Sequence, residues 1–124
     1  MIKEFIETYA DLADSTTYNI IVKPSDDNLH YEIVVNILGR NYQTNQWEYV
    51  EITFEQVIEF TFKIDKRNSP LGIWEVYIQD GDTVLFDFIP IYDNSAEIVE
   101  NPDSPFKIRC VNIKYKVTGL RDLN

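Results

Sequence analysis

The residue types that carry most enzyme chemistry are scarce in this chain and stand far apart. His30 is the only histidine and Cys110 is the only cysteine. A general base must reach the proton that it removes, and no cysteine or serine elbow stands near His30, which we expect to face solvent at a strand end. Cys110 alternates with Phe106 and Ile108, which is typical of a buried thiol that stays protonated. The sequence therefore predicts a protein that is not an enzyme and has no cofactor.

Paired carboxylates also have chemical potential, because two close acids can exchange a proton or share a metal ion. Asp26 and Asp27 form one pair, and Asp80 and Asp82 form another. Both pairs flank turn sequences, where aspartate is favoured for its hydrogen bonds to the local backbone. Neither pair supplies the alternating acids, the glycine and the terminal glutamate of a calcium loop. We expect these acids to shape turns and to bind no metal.

Three aromatic side chains are candidates for binding rather than catalysis. Trp47 and Tyr49 fall on the polar face of a predicted strand, and Tyr42 lies in the polar stretch before it. An exposed aromatic ring can stack on a sugar or anchor a protein partner. The alternative is that another layer of the fold covers these rings.

A second candidate surface is the stretch 92–105, the longest part of the chain without a clear period. It holds four acids and no base: Asp93, Glu97, Glu100 and Asp103. Long ordered loops in small domains often carry binding residues, so these acids are candidates for contact with a basic partner. The alternative is a solvated connection between two strands.

The charge of the whole chain narrows the class of partner. Acidic side chains number 21 and basic ones 11, which gives a formal net charge of −10. Nucleic acids and anionic membranes attract a positive face, so neither is expected as a partner, whereas a basic protein is attracted. The alternative reading of the same charge is solubility. The acidic N-terminus, the lone cysteine and the lack of a long apolar run predict a cytoplasmic protein.

Hydrophobic periodicity predicts one helix followed by strands. From Ile2 to Ala13 apolar residues recur at offsets typical of an amphipathic helix, and from residue 18 onward they alternate as in half-buried strands. We expect a break in the strands at Glu55-Gln56 and a loop from Asp65 to Pro70. A chain of 124 residues can form one core. The expected fold is a single α+β domain, 1–124, with the N-terminal helix packed on a mainly antiparallel, twisted sheet of about six or seven strands.

The strongest local signal is a hairpin over residues 73–89. Asp80-Gly81 separates two β-branched and aromatic runs, which is typical of a hairpin turn. A three-residue loop, 79–81, with Gly81 in the left-handed conformation brings the apolar residues onto one face. That buried face is predicted to contain Trp74, Val76, Val84, Phe86 and Phe88.

The last strand, 106–117, changes its alternation near Cys110-Val111, which predicts a β-bulge there. With that bulge a basic row forms on the opposite face: Lys107, Arg109, Lys114 and Lys116. Cross-strand pairing with Glu75 and Asp87 is the simplest explanation of this row.

Two segments also support a family resemblance. The stretch 51–57, Glu-Ile-Thr-Phe-Glu-Gln-Val, and the stretch 106–113, Phe-Lys-Ile-Arg-Cys-Val-Asn-Ile, are similar to small bacterial sheet proteins that include polymorphic-toxin immunity proteins. These are strand patterns without chemical groups, so no binding residue is transferred from that family.

Two functions are therefore expected, in this order. The first is a non-enzymatic protein-binding domain, most concretely an acidic immunity or inhibitor protein that covers the site of a basic toxin or enzyme by electrostatic steering and aromatic anchoring. The second is a small-ligand or glycan-binding β-module that uses the exposed aromatics.

Overall fold

The computed structural model describes residues 2–63 and 72–121. Within those ranges one helix packs on an antiparallel sheet of six strands, and two short strands form a separate sheet. This confirms the predicted α+β layout. No helix of these ranges is long and apolar enough to cross a membrane. The loop predicted from Asp65 to Pro70 lies outside the described residues.

The described elements run from a short helix through three long strands and two short hairpins to a final long strand. Their bounds are α1 Ile2–Tyr9, β1 Thr16–Pro24, β2 Tyr31–Asn41, β3 Gln46–Phe62, β4 Tyr77–Asp80, β5 Val84–Asp87, β6 Ile91–Tyr92, β7 Ile98–Val99 and β8 Phe106–Leu120. The six-stranded sheet has the order β1-β2-β3-β8-β5-β4, and β6 pairs with β7. Strands β1 and β4 are therefore the two edges of the large sheet.

Helix α1 is held by two aromatic residues on one of its faces. Phe5 and Tyr9 are buried, and their rings contact the rings of Phe86 and Tyr115 in the sheet. The helix ends after Tyr9, where Ala10 takes a positive φ of 53°. An isolated helix of eight residues is unstable in water, so α1 depends on these contacts.

The core lies between α1 and one face of the sheet. Val50, Ile52 and Phe54 are each at most 1% exposed, as their alternation predicts. The opposite face, which we call the outer face, carries no helix in the described part of the chain. Near β5 this outer face is also covered, because Leu85 and Asp87 are fully buried there.

Strand β3 runs without interruption for 17 residues, so the break predicted at Glu55-Gln56 is wrong. Gln56 takes a positive φ of 52°, and the chain continues in the sheet. Phe54 and Val57 are both buried, although a regular strand places residues three apart on opposite faces. At the place of the predicted break the strand continues, but the side chains that face the core shift by one position.

The phase change predicted for β8 is present, but the predicted bulge at Cys110-Val111 is wrong. Cys110 and Ile113 are both fully buried, so the inward-facing set changes between them. Gln56 of β3 lies across from the residue after Cys110. Both strands change their inward-facing set at this place, so the pairing from Glu55 to Val57 keeps its register. The register shift comes next to it, between Val57 and Glu59 of β3.

The central hairpin is present with a register that differs from the predicted one. Strands β4 and β5 pair Asp80 with Val84, so the loop consists of residues 81–83. Gly81 does not take a positive φ, and its N–H donates to the carbonyl of Thr83 at 3.1 Å. The loop therefore begins two residues later than predicted and needs no left-handed glycine.

Trp74 is the clearest departure from the predicted core. Its partners on the predicted face, Val76, Val84, Phe86 and Phe88, are buried, but Trp74 is 88% exposed. The alternation fails because β4 begins only at Tyr77, and Trp74 lies in a bend whose carbonyl accepts a hydrogen bond from the Asp14 N–H. A period of two describes side-chain direction only where the backbone is extended.

Replacement of the two aromatics of the hairpin region tests this assignment. Phe86→Ala removes a fully buried ring and should lower the free energy of unfolding by about 3–5 kcal/mol. Trp74→Ala should change it by less than about 0.5 kcal/mol, because the ring is already in solvent. Urea titration measures both. A Trp74→Ala loss as large as that of Phe86→Ala would contradict the exposed position.

Candidate functional site

One turn brings together the residue types of a hydrolase triad. Ser25, Asp27 and His30 lie between β1 and β2, and Nδ1 of His30 is 2.9 Å from Oδ2 of Asp27. The single Ser25 hydroxyl proton, however, is shared between the Asp27 carboxylate and the carbonyl of His30, and no hydrogen bond joins the hydroxyl to the histidine ring. A triad needs the serine hydroxyl on the ring nitrogen that takes its proton. The cluster therefore has the connectivity of a turn.

Asp27 organises that turn, as the sequence predicts for aspartate. Its carboxylate accepts hydrogen bonds from the backbone N–H groups of Leu29 and His30. The hydrogen bonds from Ser25 and His30 hold the pKa of the Asp27 carboxyl well below its usual range. Over the ranges 2–63 and 72–121 no three metal-ligating side chains come together.

Cys110 is buried, as predicted. Its side chain is fully covered, and burial raises the pKa of the thiol to about 12. Because the thiolate is the reactive form, the position is that of a structural residue.

The basic row predicted on β8 lies on the outer face, and its lysines form ion pairs with acids. Lys114 Nζ is 3.5 Å from Glu55, and Lys116 Nζ is 3.6 Å from Glu51, both on the neighbouring strand β3. Exposed pairs of this kind contribute little stability, but they neutralise the face. The row is therefore no free anion-binding patch.

Of the two partners predicted for the row, Asp87 on β5 does lie directly across from Lys107, whereas Glu75 does not pair with the row. Asp87 is fully buried and accepts hydrogen bonds from the backbone N–H groups of Ile89 and Asn101. Glu75 instead accepts a hydrogen bond from the hydroxyl of Tyr92. The sequence could not place Glu75, because its hydrogen-bond partner, Tyr92, comes from the segment that crosses the outer face after β5.

Trp47 and Tyr49 lie on the outer face, and Tyr42 lies in the turn between β2 and β3, where its N–H donates to the carbonyl of Thr8 in α1. The Arg121 guanidinium lies 5.6 Å from the ring centre of Trp47, and that of Arg40 lies 5.2 Å from Tyr42. The ring of Tyr49 packs against Tyr18 at 5.6 Å. Trp47 and Tyr49 are half-buried, and Arg121 brings a positive charge to the ring of Trp47.

The candidate acids of the segment 92–105 divide into structural and exposed groups. Glu100 binds Lys107 at 2.8 Å and lies 3.7 Å from Arg109, and the Lys107 side chain is only 6% exposed. Asp93 closes a turn by accepting hydrogen bonds from the N–H groups of Ser95 and Glu97. The side chains of Glu97 and Asp103 are exposed. Half of the predicted acidic surface is therefore used to hold the segment in place.

The aromatic and acidic candidates do not form one site. Tyr49 lies across from Gly119 at one end of β8, whereas Glu100 contacts Lys107 near the other end. At about 3.3 Å per residue these points are roughly 30–40 Å apart. A single small partner cannot contact both surfaces.

The structure shows a different surface that the sequence did not indicate. A groove of about 450 Å³ opens between α1, the edge strand β4 and the small sheet β6-β7. Its lining is almost wholly apolar: Ile6, Ala10, Asp11, Val76, Tyr77, Ile78 and Ile98. We call this surface the edge groove.

Exposed apolar side chains continue around the edge groove. Ile6 is 38% exposed although it lies on the helix face predicted to be buried. Tyr92 is 64% exposed, and the 88% exposed Trp74 lies two residues before Val76. Exposed apolar side chains beside a groove are typical of an interaction site.

Two carboxylates lie at the edge groove without a basic partner among the described residues. Asp11 lies in its lining and Glu75 stands beside it, and no basic side chain of the described ranges forms an ion pair with either. The hydrogen bond to Glu75, together with the nearby charge of Asp11, raises the pKa of the Tyr92 hydroxyl. Tyr92 and both acids therefore lie close together, and the rim of the groove is negative.

The thiol of Cys110 provides a test of core closure. At pH 9 the native thiol should react with a disulfide reagent at least about tenfold more slowly than the thiol in denaturant, because its pKa of about 12 leaves almost no thiolate. Spectrophotometric titration of the released chromophore measures the rate. Equal rates in the native and denatured protein would contradict a closed core.

Two acids of the segment 92–105 should respond differently to neutralisation. Glu100→Gln leaves the buried ammonium of Lys107 without its charged partner, so the free energy of unfolding should fall by about 2 kcal/mol. Asp103→Asn is the matched control and should change it by less than about 0.5 kcal/mol. Chemical denaturation of both variants measures the difference. Equal effects would mean that the Glu100 pair is not structural.

Comparisons with models of protein families, with curated proteins and with solved structures find no match to this chain. The resemblance to immunity proteins therefore stays a hypothesis that rests on two strand patterns. The function has to be inferred from the described surface, where the edge groove is the strongest candidate site.

Proposed function

We propose that this protein is a non-enzymatic protein-binding domain that receives a basic partner at the edge groove. The observation that carries the proposal is the coincidence of an open apolar groove with carboxylates that form no ion pair with any base of the ranges 2–63 and 72–121. Apolar contacts in such a groove supply affinity, and the rim supplies steering and partner choice.

The distribution of charge supports a basic partner. Five of the basic side chains already lie within 4.0 Å of a carboxylate: Lys23, Lys107, Arg109, Lys114 and Lys116. These bases occupy only four of the 21 acids, and the acids outside these pairs include Asp11 and Glu75 at the edge groove. A cationic surface would approach this side of the protein faster than a neutral one.

An immunity or inhibitor role is the most concrete form of this proposal. A small acidic domain that docks on a basic toxin or enzyme can block it by covering its site, without chemistry of its own. The anchors differ from the sequence-based expectation. In this proposal the partner is anchored by apolar groups of α1, β4 and the segment after β5, and no longer by Tyr42, Trp47 and Tyr49.

The glycan-binding alternative has less support. Sugar stacking needs a free ring face, and the rings of Trp47 and Tyr49 are already contacted by Arg121 and Tyr18. The edge groove offers only Asp11 among charged side chains in its lining, whereas sugars need several polar groups.

Selection from a displayed library of random eight-residue peptides tests the proposal without a known partner. Enriched sequences should combine lysine or arginine with valine, isoleucine or leucine. Synthetic versions should lose about tenfold in affinity on Ile6→Ala or Asp11→Asn, because each change removes a groove contact or a rim charge. Isothermal titration calorimetry measures the affinities.

Leu29→Ala is the matched control. Leu29 is 83% exposed at the turn between β1 and β2, outside the lining of the edge groove, and affinity should stay within about twofold. No enrichment over an unrelated acidic protein would refute the proposal. Enriched peptides whose affinity is the same for all variants would move the binding surface elsewhere.

A further inference from the structure

Strand β4 has one paired side and one open side. It pairs with β5 through Tyr77 to Asp80 and is the last strand of the sheet. No backbone hydrogen bond reaches β4 from the other side within the ranges 2–63 and 72–121. An edge strand presents unpaired N–H and C=O groups at every second residue, and these can pair with a further strand.

The edge groove straddles this open side. Tyr77 and Ile78 are successive strand residues, so their side chains point to opposite faces of the sheet, yet both line the groove. Ile6 of α1 and Ala10, which directly follows the helix, form one wall, and Ile98 of β7 is also in the lining. A chain laid along β4 would therefore meet apolar side chains beside the backbone groups that it pairs with.

We infer that the edge groove binds its partner by strand addition, with an extended basic segment of another protein as a further strand beside β4. This inference rests on the proposed function and specifies the form of the partner. Backbone hydrogen bonds to β4 supply part of the affinity, and every second side chain of the added strand contacts the groove and supplies specificity. The partner segment therefore carries an apolar residue at every second position.

The acids around β4 favour basic residues at the other positions of the added strand. Glu75 comes just before β4, Asp80 ends it and Asp82 lies in the following loop, while Asp11 is in the groove itself. None of these carboxylates has an ion-pair partner among the described bases. Lysine or arginine between the apolar residues complements this charge.

The other edge of the sheet is less suited to the same role. Strand β1 contains Lys23 and Pro24, two residue types that protect edges, and its ladder is irregular between Thr17 and Asn19. Its first residue, Thr16, already forms a bridge with Gly72. Strand β4 has neither lysine nor proline.

Backbone methylation of a synthetic peptide tests strand addition directly. The probe is a capped seven-residue peptide that alternates lysine with valine, together with two derivatives. One derivative has N-methyl groups on its valines and the other on two of its lysines. In an extended chain the valine and lysine N–H groups point to opposite edges, so only one set can pair with β4. Titration calorimetry against the whole protein measures all three affinities.

Strand addition predicts an asymmetric result. One methylated derivative should bind at least about tenfold more weakly than the parent peptide, and the other should stay within about threefold. Equal affinities for the two derivatives, with a parent peptide whose binding depends on Ile6, would overturn strand addition and leave the proposed function standing. A parent peptide that does not bind at all would overturn both.

Discussion

The docking of α1 on the sheet is the constraint on which the rest of the structure depends. The helix has only eight residues, so its stability comes from Phe5 and Tyr9 rather than from its own hydrogen bonds. Phe5 packs 5.7 Å from Phe86, and the Tyr9 hydroxyl donates to Glu48 at 2.8 Å in a buried position. Burial, together with the hydrogen bond to Glu48, raises the pKa of the Tyr9 hydroxyl. A buried carboxylate without this donor would be costly, so the pair fixes where the helix sits.

The position of α1 in turn creates the edge groove. Phe5 and Tyr9 face the core, and the same helix turns Ile6 toward the edge of the sheet, where β4 is only four residues long. The segment after β5 covers the outer face, anchored by Asp87 and by the pair of Glu100 with Lys107, and it brings Ile98 to the groove. Each wall of the site therefore comes from a different part of the chain.

The sequence contains enough to predict the layers of this fold but not its candidate site. Alternation in residues 50–54 and the buried Cys110 follow from local patterns, because a strand in a two-layer fold buries every second residue. Trp74 does not follow, since a bend ends the alternation and nothing in the residues from Ile73 to Tyr77 marks where the strand begins. Ile6 has the helical period of a core residue, and only the short edge strand beside it leaves it exposed.

The predicted binding residues illustrate the same limit. Trp47 and Tyr49 share the outer face, but the arginines that lie over Tyr42 and Trp47 come from β2 and from the end of the described chain. Glu100 could be recognised as an acid of a long loop, yet its role depends on Lys107, a side chain of the following strand that is buried only after folding. Pairings between distant segments decide which of these side chains remain exposed, and local patterns do not contain those pairings.

Chemical-shift mapping tests the central claim, that the interaction surface is the edge groove. The ¹H–¹⁵N spectrum of the protein is followed during titration with the alternating lysine and valine peptide. The account predicts that the amide signals of Ile6, Ile78 and Ile98 shift with a common affinity while those of Trp47 and Tyr49 stay in place. Shifts confined to Trp47 and Tyr49, with the signals of Ile6 and Ile78 unchanged, would contradict it.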